Sequence, residues 1–299
     1  MNRNSTAQQL FGSNIVAMVT PMETDGCVSD FGVANLVEHL LTTGCEGIAV
    51  GGTTGESPTL TLEEAAHLVR TVAAQTRGRA KVIAGVGTYD TAASMQRARD
   101  ARDAGADALL LVCPYYSRPT QAGVIAHFLQ VADATELPLM LYDVPARTGL
   151  ALAKTTLMEL ATHPRIRAVK DAKGDLFEAM SVMATTSLVY YCGSDELNLP
   201  YLACGAVGVV SVVANVAADR ITSLIAAVRD ENLDAAREIQ NSLLPLTDVI
   251  MNSSQGAIMA KAALAELGII PHPAVRLPLL EASPADFERL REALGLVSC

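Results

Sequence analysis

Eight short apolar runs alternate along the chain with stretches in which apolar positions recur at helical spacing. The runs fall at residues 14–20, 47–51, 81–85, 108–112, 138–143, 166–171, 189–193 and 208–213. Segments with a period near 3.6 lie between them, among them 61–76, 91–104, 121–134 and 154–162. Start and stop signals agree with this division. Thr61 leads into Glu63 and Glu64, acids suited to the positive end of a helix, and Gly105 closes the stretch that begins near Thr91. Runs this apolar on both faces predict a parallel sheet covered by helices, because a sheet with one wet face would alternate. Eight β–α units between Asn14 and about Arg229 therefore predict an α/β fold closed into a (β/α)₈ TIM barrel, whose usual length is about 250 residues. An open doubly wound sheet is the rival, and the even spacing of eight units favours closure. After Asp230 strand-like runs cease. Segments 232–252, 255–267 and 284–294 predict three helices, with Pro271-His272-Pro273 breaking the last two apart. The expected organisation is a catalytic barrel over residues 12–230 and a C-terminal helical region over 231–299 packed on it.

Composition narrows the classes. Half of the 299 residues are apolar and 18% are charged, which suits a large buried core and not a disordered chain. A net charge of −10 opposes a nucleic-acid partner, which would need a basic face. The longest weakly polar run, 205–218, is too short to cross a bilayer and carries Ser211 and Asn215. No cationic leader opens the chain, and cysteines 27, 45, 113, 192, 204 and 299 form no C-x-x-C pair. Both features point to a reducing cytoplasm. The histidines (39, 67, 127, 163 and 272) form no H-E-x-x-H pattern and none ends a strand, so no metal site is expected.

In such a barrel, chemistry gathers at the carboxyl ends of the strands, where the βα loops converge. Lysine is scarce: Lys81, Lys154, Lys170, Lys173 and Lys261 are the full set. Lys81 opens a strand at the opposite face, Lys154 and Lys261 fall on helices, and Lys173 lies in a polar loop expected to face solvent. Lys170 alone ends a strand, on the inward face it shares with Ala168 and Ile166. Neighbours there desolvate the amine and favour its uncharged, nucleophilic form. A structural ion pair with Asp171 or Asp143 is the alternative, and spacing leaves the two open.

Gly51-Gly52-Thr53-Thr54-Gly55 lacks the P-loop lysine and the dinucleotide spacing, which leaves a hydroxyl-bearing turn able to hold a carboxylate, or simply a turn. Tyr142 is expected across from Lys170 on the neighbouring strand. Its phenol could shuttle protons through the Thr53 hydroxyl, or merely pack in the barrel wall. Tyr115 and Tyr116 point opposite ways on an extended stretch, so one can line the pocket. Arg147 follows in a loop with Pro145 and Gly149, placed either to clamp a carboxylate or to lie idle on the surface.

These residues carry a resemblance. The segments Gly52-Thr53-Thr54-Gly55-Glu56-Ser57, Pro114-Tyr115-Tyr116, Leu141 to Gly149 and Val169-Lys170-Asp171-Ala172 resemble the dihydrodipicolinate synthase family of the pyruvate-dependent class I aldolases, relatives of N-acetylneuraminate lyase. The likeness runs from about Ile15 to the C-terminal helices. It implies a Schiff base between Lys170 and pyruvate, condensation with L-aspartate 4-semialdehyde, and no cofactor. It assigns Thr53, Tyr142 and Tyr116 to a proton relay, Tyr116 reaching in from a partner subunit of a homotetramer built as a dimer of tight dimers. Thr54 would hold the pyruvate carboxylate, Arg147 the carboxylate of the semialdehyde, while Gly193 and Val210 would face the pocket through their carbonyls. Arg147 favours the synthase over relatives that act on 2-oxo sugar acids, since an unpaired buried carboxylate costs of order 2–5 kcal/mol. A non-catalytic acid-binding paralogue would have no use for the full relay. Asp143 departs from the usual Asn and Ala146 from the usual Gly or Ser. Leu62, Ala65, Tyr89 and Ala93 replace the polar residues of lysine-inhibited members, which implies little feedback inhibition by L-lysine.

Overall fold

The structure, a computed structural model, describes residues 3–295. Eight parallel strands close into a barrel in sequence order: β1 Asn14–Ala17, β2 Gly47–Val50, β3 Lys81–Gly85, β4 Ala108–Val112, β5 Leu139–Asp143, β6 Ile166–Asp171, β7 Val189–Cys192 and β8 Gly208–Ser211. Closure sets Ile15 opposite Val210 and Val16 opposite Ser211. Strand residues are buried almost throughout, as a wall between a filled interior and a shell of helices requires. The closed order excludes the open sheet.

Strands β1 and β8 stop short of the expected residues 20 and 213. At the mouth the backbones diverge and a side chain replaces the ladder. Asn215 accepts from Val19 N at 3.2 Å and donates to the carbonyls of Ala17 and Val212 at 2.9 and 2.8 Å. The helices start where their caps predict. In Leu62–Thr76 the Thr61 hydroxyl accepts from Glu64 N at 3.1 Å, and the Glu64 carboxylate accepts from Thr61 N at 2.9 Å.

One helix, Arg3–Phe11, was not expected, because its polar sequence carries no helical apolar stripe. Its last turn is fixed by tertiary contacts: Phe11 is buried edge-on to Tyr191 of β7, whose hydroxyl donates to Gly12 O at 2.9 Å. Beyond the last barrel helix, Ala214–Arg229, come the helices Leu233–Asn252, Gly256–Glu266 and Pro284–Ala293. The middle one is buried on nearly every side, Lys261 included, so this helix belongs to the core. Residues 296–299 of the expected helical region, with Cys299, lie outside the described residues. The five described cysteines are all free. No described helix is long and apolar enough to cross a membrane.

Candidate active site

Lys170 sits near the carboxyl end of β6 and is 5% exposed. The ladder places it opposite Tyr142 of β5, as the alternation requires, and its Nζ lies 4.2 Å from the centre of the Tyr142 ring. Among the described residues no carboxylate approaches within ion-pair distance of Lys170, so the ion pair with Asp143 or Asp171 does not form. Those two residues follow Tyr142 and Lys170 by one position, so their side chains point to the other face of the sheet. Asp143 accepts from Leu152 N at 3.2 Å, and Asp171 accepts from Lys173 N at 2.8 Å. Burial pushes the Asp143 carboxyl up to about 7, the Leu152 amide opposing and the nearby Asp171 adding to the rise. Burial likewise raises Asp171, against the amide of Lys173.

Lys173 does not face solvent freely. Its ammonium donates to Glu178 at 2.7 Å. Burial lowers its affinity for a proton, but the Glu178 bond and charge together with the charges of Asp143 and Asp175 outweigh it, leaving the pKa raised. Gly193, just past β7, lets the backbone close on the lysine stem. A methyl group there would meet Cγ of Lys170 and the Asp171 carbonyl at 3.0 Å, so a larger residue would press on the lysine stem.

The turn after β2 is built to leave its amides open. Gly51 takes a left-handed φ of 63°, and the turn closes on itself through Gly55 N to Gly52 O at 3.1 Å and Ser57 N to Gly52 O at 3.2 Å. Thr20 donates to Gly55 O at 2.7 Å. The amides of Thr53 and Thr54 find no acceptor among the described residues and are free for a ligand. The turn ends at Glu56, left-handed at φ 56° and buried. Its carboxylate accepts from Lys261 and, at 3.0 Å, from Arg276 N, while Lys261 also donates to Ala274 O at 2.7 Å. The C-terminal region thus grips the turn that carries Thr53 and Thr54. Lys261, which reads in sequence as an ordinary helix lysine, is the centre of that grip.

Arg147 lies in the one-turn helix Pro145–Thr148, and its guanidinium has no hydrogen-bond or ion-pair partner among the described residues. Thr53, Thr54, Tyr142, Arg147, Lys170 and Gly193 line a single cavity of about 400 Å³ at the mouth of the barrel. Tyr142 and Thr53 share its wall without a hydrogen bond between them. A neighbouring cavity of about 210 Å³ shares Thr53 and Arg147 and is lined by Tyr115, which packs edge-on to Tyr89 at 5.5 Å. Tyr116 points elsewhere: its φ is 70° and it is 91% exposed, outside the pocket of its own chain. Val210 is buried within β8 and does not join the lining, whereas Val212 beyond the strand does.

The sequence reading missed Ser194, Glu196 and Met251, which also line the main cavity. Glu196 comes three residues after Gly193, inside the strand-end zone that flagged the others; it was overlooked because it belongs to no motif. No group of three His, Cys, Asp or Glu among the described residues could hold a metal ion.

The chain matches the model of the dihydrodipicolinate synthetase family over residues 10–295. It is 49% identical to the 4-hydroxy-tetrahydrodipicolinate synthase of Acidothermus cellulolyticus over 95% of this chain and 92% of the relative. It is 46% identical to that of Mycolicibacterium paratuberculosis over 93% of this chain and 92% of the relative. Among solved structures, the dihydrodipicolinate synthase of Acinetobacter baumannii complexed with pyruvate superposes with a TM-score of 0.91 at 36% identity, covering 95% of this chain and 97% of that one. A strand-end lysine without an acid beside it, open amides opposite and an unpaired arginine at the rim thus sit in a chain that belongs to the dihydrodipicolinate synthetase family.

Proposed function

We propose that the protein condenses pyruvate with L-aspartate 4-semialdehyde to give 4-hydroxy-tetrahydrodipicolinate, the step that commits carbon to diaminopimelate and lysine. The observation that carries this reading is Lys170: buried, inward, over the Tyr142 ring and with no carboxylate bonded to it among the described residues.

The amine of Lys170 adds to the keto carbon of pyruvate and water leaves, giving an iminium. The free amides at Thr53 and Thr54 receive the pyruvate carboxylate. The iminium draws electrons from the methyl group, whose proton departs through Tyr142 and Thr53, and the resulting enamine carbon bonds to the aldehyde carbon of the second substrate. The aldehyde oxygen takes up a proton and becomes the ring hydroxyl. The amino group of the semialdehyde then attacks the imine carbon, displaces Lys170 and closes the ring. Arg147 holds the carboxylate of the semialdehyde in a two-pronged geometry. No cofactor enters these steps.

The resemblance assigns Tyr116 to the relay of a second copy in a homotetramer of paired dimers, and its exposure outside its own pocket supports that assignment; the expected compartment is the cytoplasm. Weak inhibition by L-lysine belongs to the same reading, since Leu62, Ala65 and Ala93 offer no polar side-chain atom to that amino acid. Turnover of pyruvate with aspartate semialdehyde, set against pyruvate with 2-oxo sugar-acid precursors, tests the proposal. Formation of the cyclic product with the semialdehyde alone is expected; turnover only with sugar aldehydes overturns it.

A further inference from the structure

The main cavity holds three charged side chains, Lys170, Arg147 and Glu196, and none of them has an ion-pair partner among the described residues. Two basic groups in a site that receives carboxylates need no explanation. An acid among them does, because it repels the carboxylate of each substrate unless it meets a positive charge.

Glu196 is held at this rim by its neighbour. Asp195 is buried and accepts from the Ser211 hydroxyl, from Val212 N at 2.9 Å, from Val213 N at 3.1 Å and from Asn198 Nδ2 at 3.1 Å. These bonds fix the short turn Asp195–Leu197 against the end of β8. With Asp195 spent on the core, the next side chain is left on the cavity side, beside a Ser194 hydroxyl that bonds to nothing among the described residues.

We propose that Glu196 is the specificity residue for the amino group of the acceptor: its carboxylate receives the ammonium of a 2-amino aldehyde acid while Arg147 takes the carboxylate. The inference rests on the proposed condensation and adds what selects its second substrate. Pyruvate carries no cation, and neither does a sugar aldehyde, so an acid at this place distinguishes the aminated acceptor from both. Ser194 supplies an oxygen acceptor to a second N–H of the same ammonium.

The test uses the full chain as Glu196→Gln and Glu196→Asp, with two acceptors that differ only in the amino group. KM is measured for L-aspartate 4-semialdehyde. Succinic semialdehyde, which lacks the amino group, is measured as a competing inhibitor. Glu196→Gln is expected to raise the KM of the aminated aldehyde roughly 10- to 100-fold, the worth of one charge-assisted hydrogen bond. The inhibition constant of succinic semialdehyde should stay within about twofold by the same reasoning, since the lost bond is one it never makes. Glu196→Asp should recover part of the loss. Equal weakening of both aldehydes, or no change in either, overturns the proposal. Borohydride capture of pyruvate on Lys170 keeps the two readings apart. If the unaltered protein captures pyruvate but does not use aspartate semialdehyde, the condensation itself is wrong and this inference falls with it. If it uses the semialdehyde and Glu196→Gln leaves KM unmoved, only the inference fails.

Discussion

Lys261 and Lys170 are buried to nearly the same degree, 0% and 5% exposed, yet their nitrogens meet different groups. Lys261 is enclosed by the Glu56 carboxylate and the Ala274 carbonyl, so each charge has its partner, and the bond to Glu56 joins the C-terminal region to the turn after β2. Burial lowers its pKa, with Glu56 opposing. Lys170 meets a phenol ring and open cavity. The difference teaches how one residue type is given two tasks. A buried amine with a carboxylate is a fastener, whereas one without is left available to react. The fold enforces this through alternation: Asp143 and Asp171 lie next in sequence to the reactive pair but on the opposite face of the sheet.

Exchanging the two phenotypes is the strongest way to break the comparison. Lys170→Ala should lower turnover by roughly 10⁴-fold or more, as loss of a covalent nucleophile does, with little change in the unfolding midpoint because no buried acid is orphaned. Lys261→Met should do the reverse. It strands Glu56 in the core and should cost about 3–5 kcal/mol in urea unfolding, while the folded fraction still captures pyruvate. A Lys261→Met protein of unchanged stability would show that the pair is not a fastener.

Asp143 sharpens the comparison as a third case, a buried acid with neither a lysine nor an arginine bonded to it. Burial raises its carboxyl from 3.8 to about 7. The folded chain therefore holds this proton more tightly than the unfolded one, and the stability gained is complete below about pH 4 and lost as pH rises through about 7. Asp143→Asn, which cannot ionise, should be more stable than the parent at pH 8, on the order of a few kcal/mol, with the gap closing as pH falls toward 4. Denaturation series at both ends of that range measure it. A gap independent of pH would remove the carboxyl from the account.

The barrel was legible because each strand is a short run apolar on both faces, a pattern only a covered parallel sheet satisfies. The strand ends were less so. Met18 and Val19 continue the apolar run of β1, and Met18 N still bonds to Ala49 O, but the amide of Val19 passes to Asn215, which no periodicity reveals. The helix Arg3–Phe11 was hidden because the contacts that hold it, Phe11 on Tyr191 and Gly12 O on its hydroxyl, come from a strand far along the chain. Lys170, Tyr142, Thr53, Thr54 and Arg147 were found together because the strand-end rule selects them and their motifs mark them, whereas Gly193 came from the resemblance alone. Glu196 satisfies the same rule and was lost for want of a motif. Lys261 was lost because a helix position does not disclose that nearly all sides of the helix are covered.

Covalent capture distinguishes the reactive lysine from the structural ones. Treating the protein with pyruvate and borohydride, then mapping the peptides by mass spectrometry, should yield one reduced adduct, on the peptide carrying Lys170, with Lys261 and Lys173 unmodified. An adduct on either of those residues, or a protein that emerges unmodified, would contradict the account.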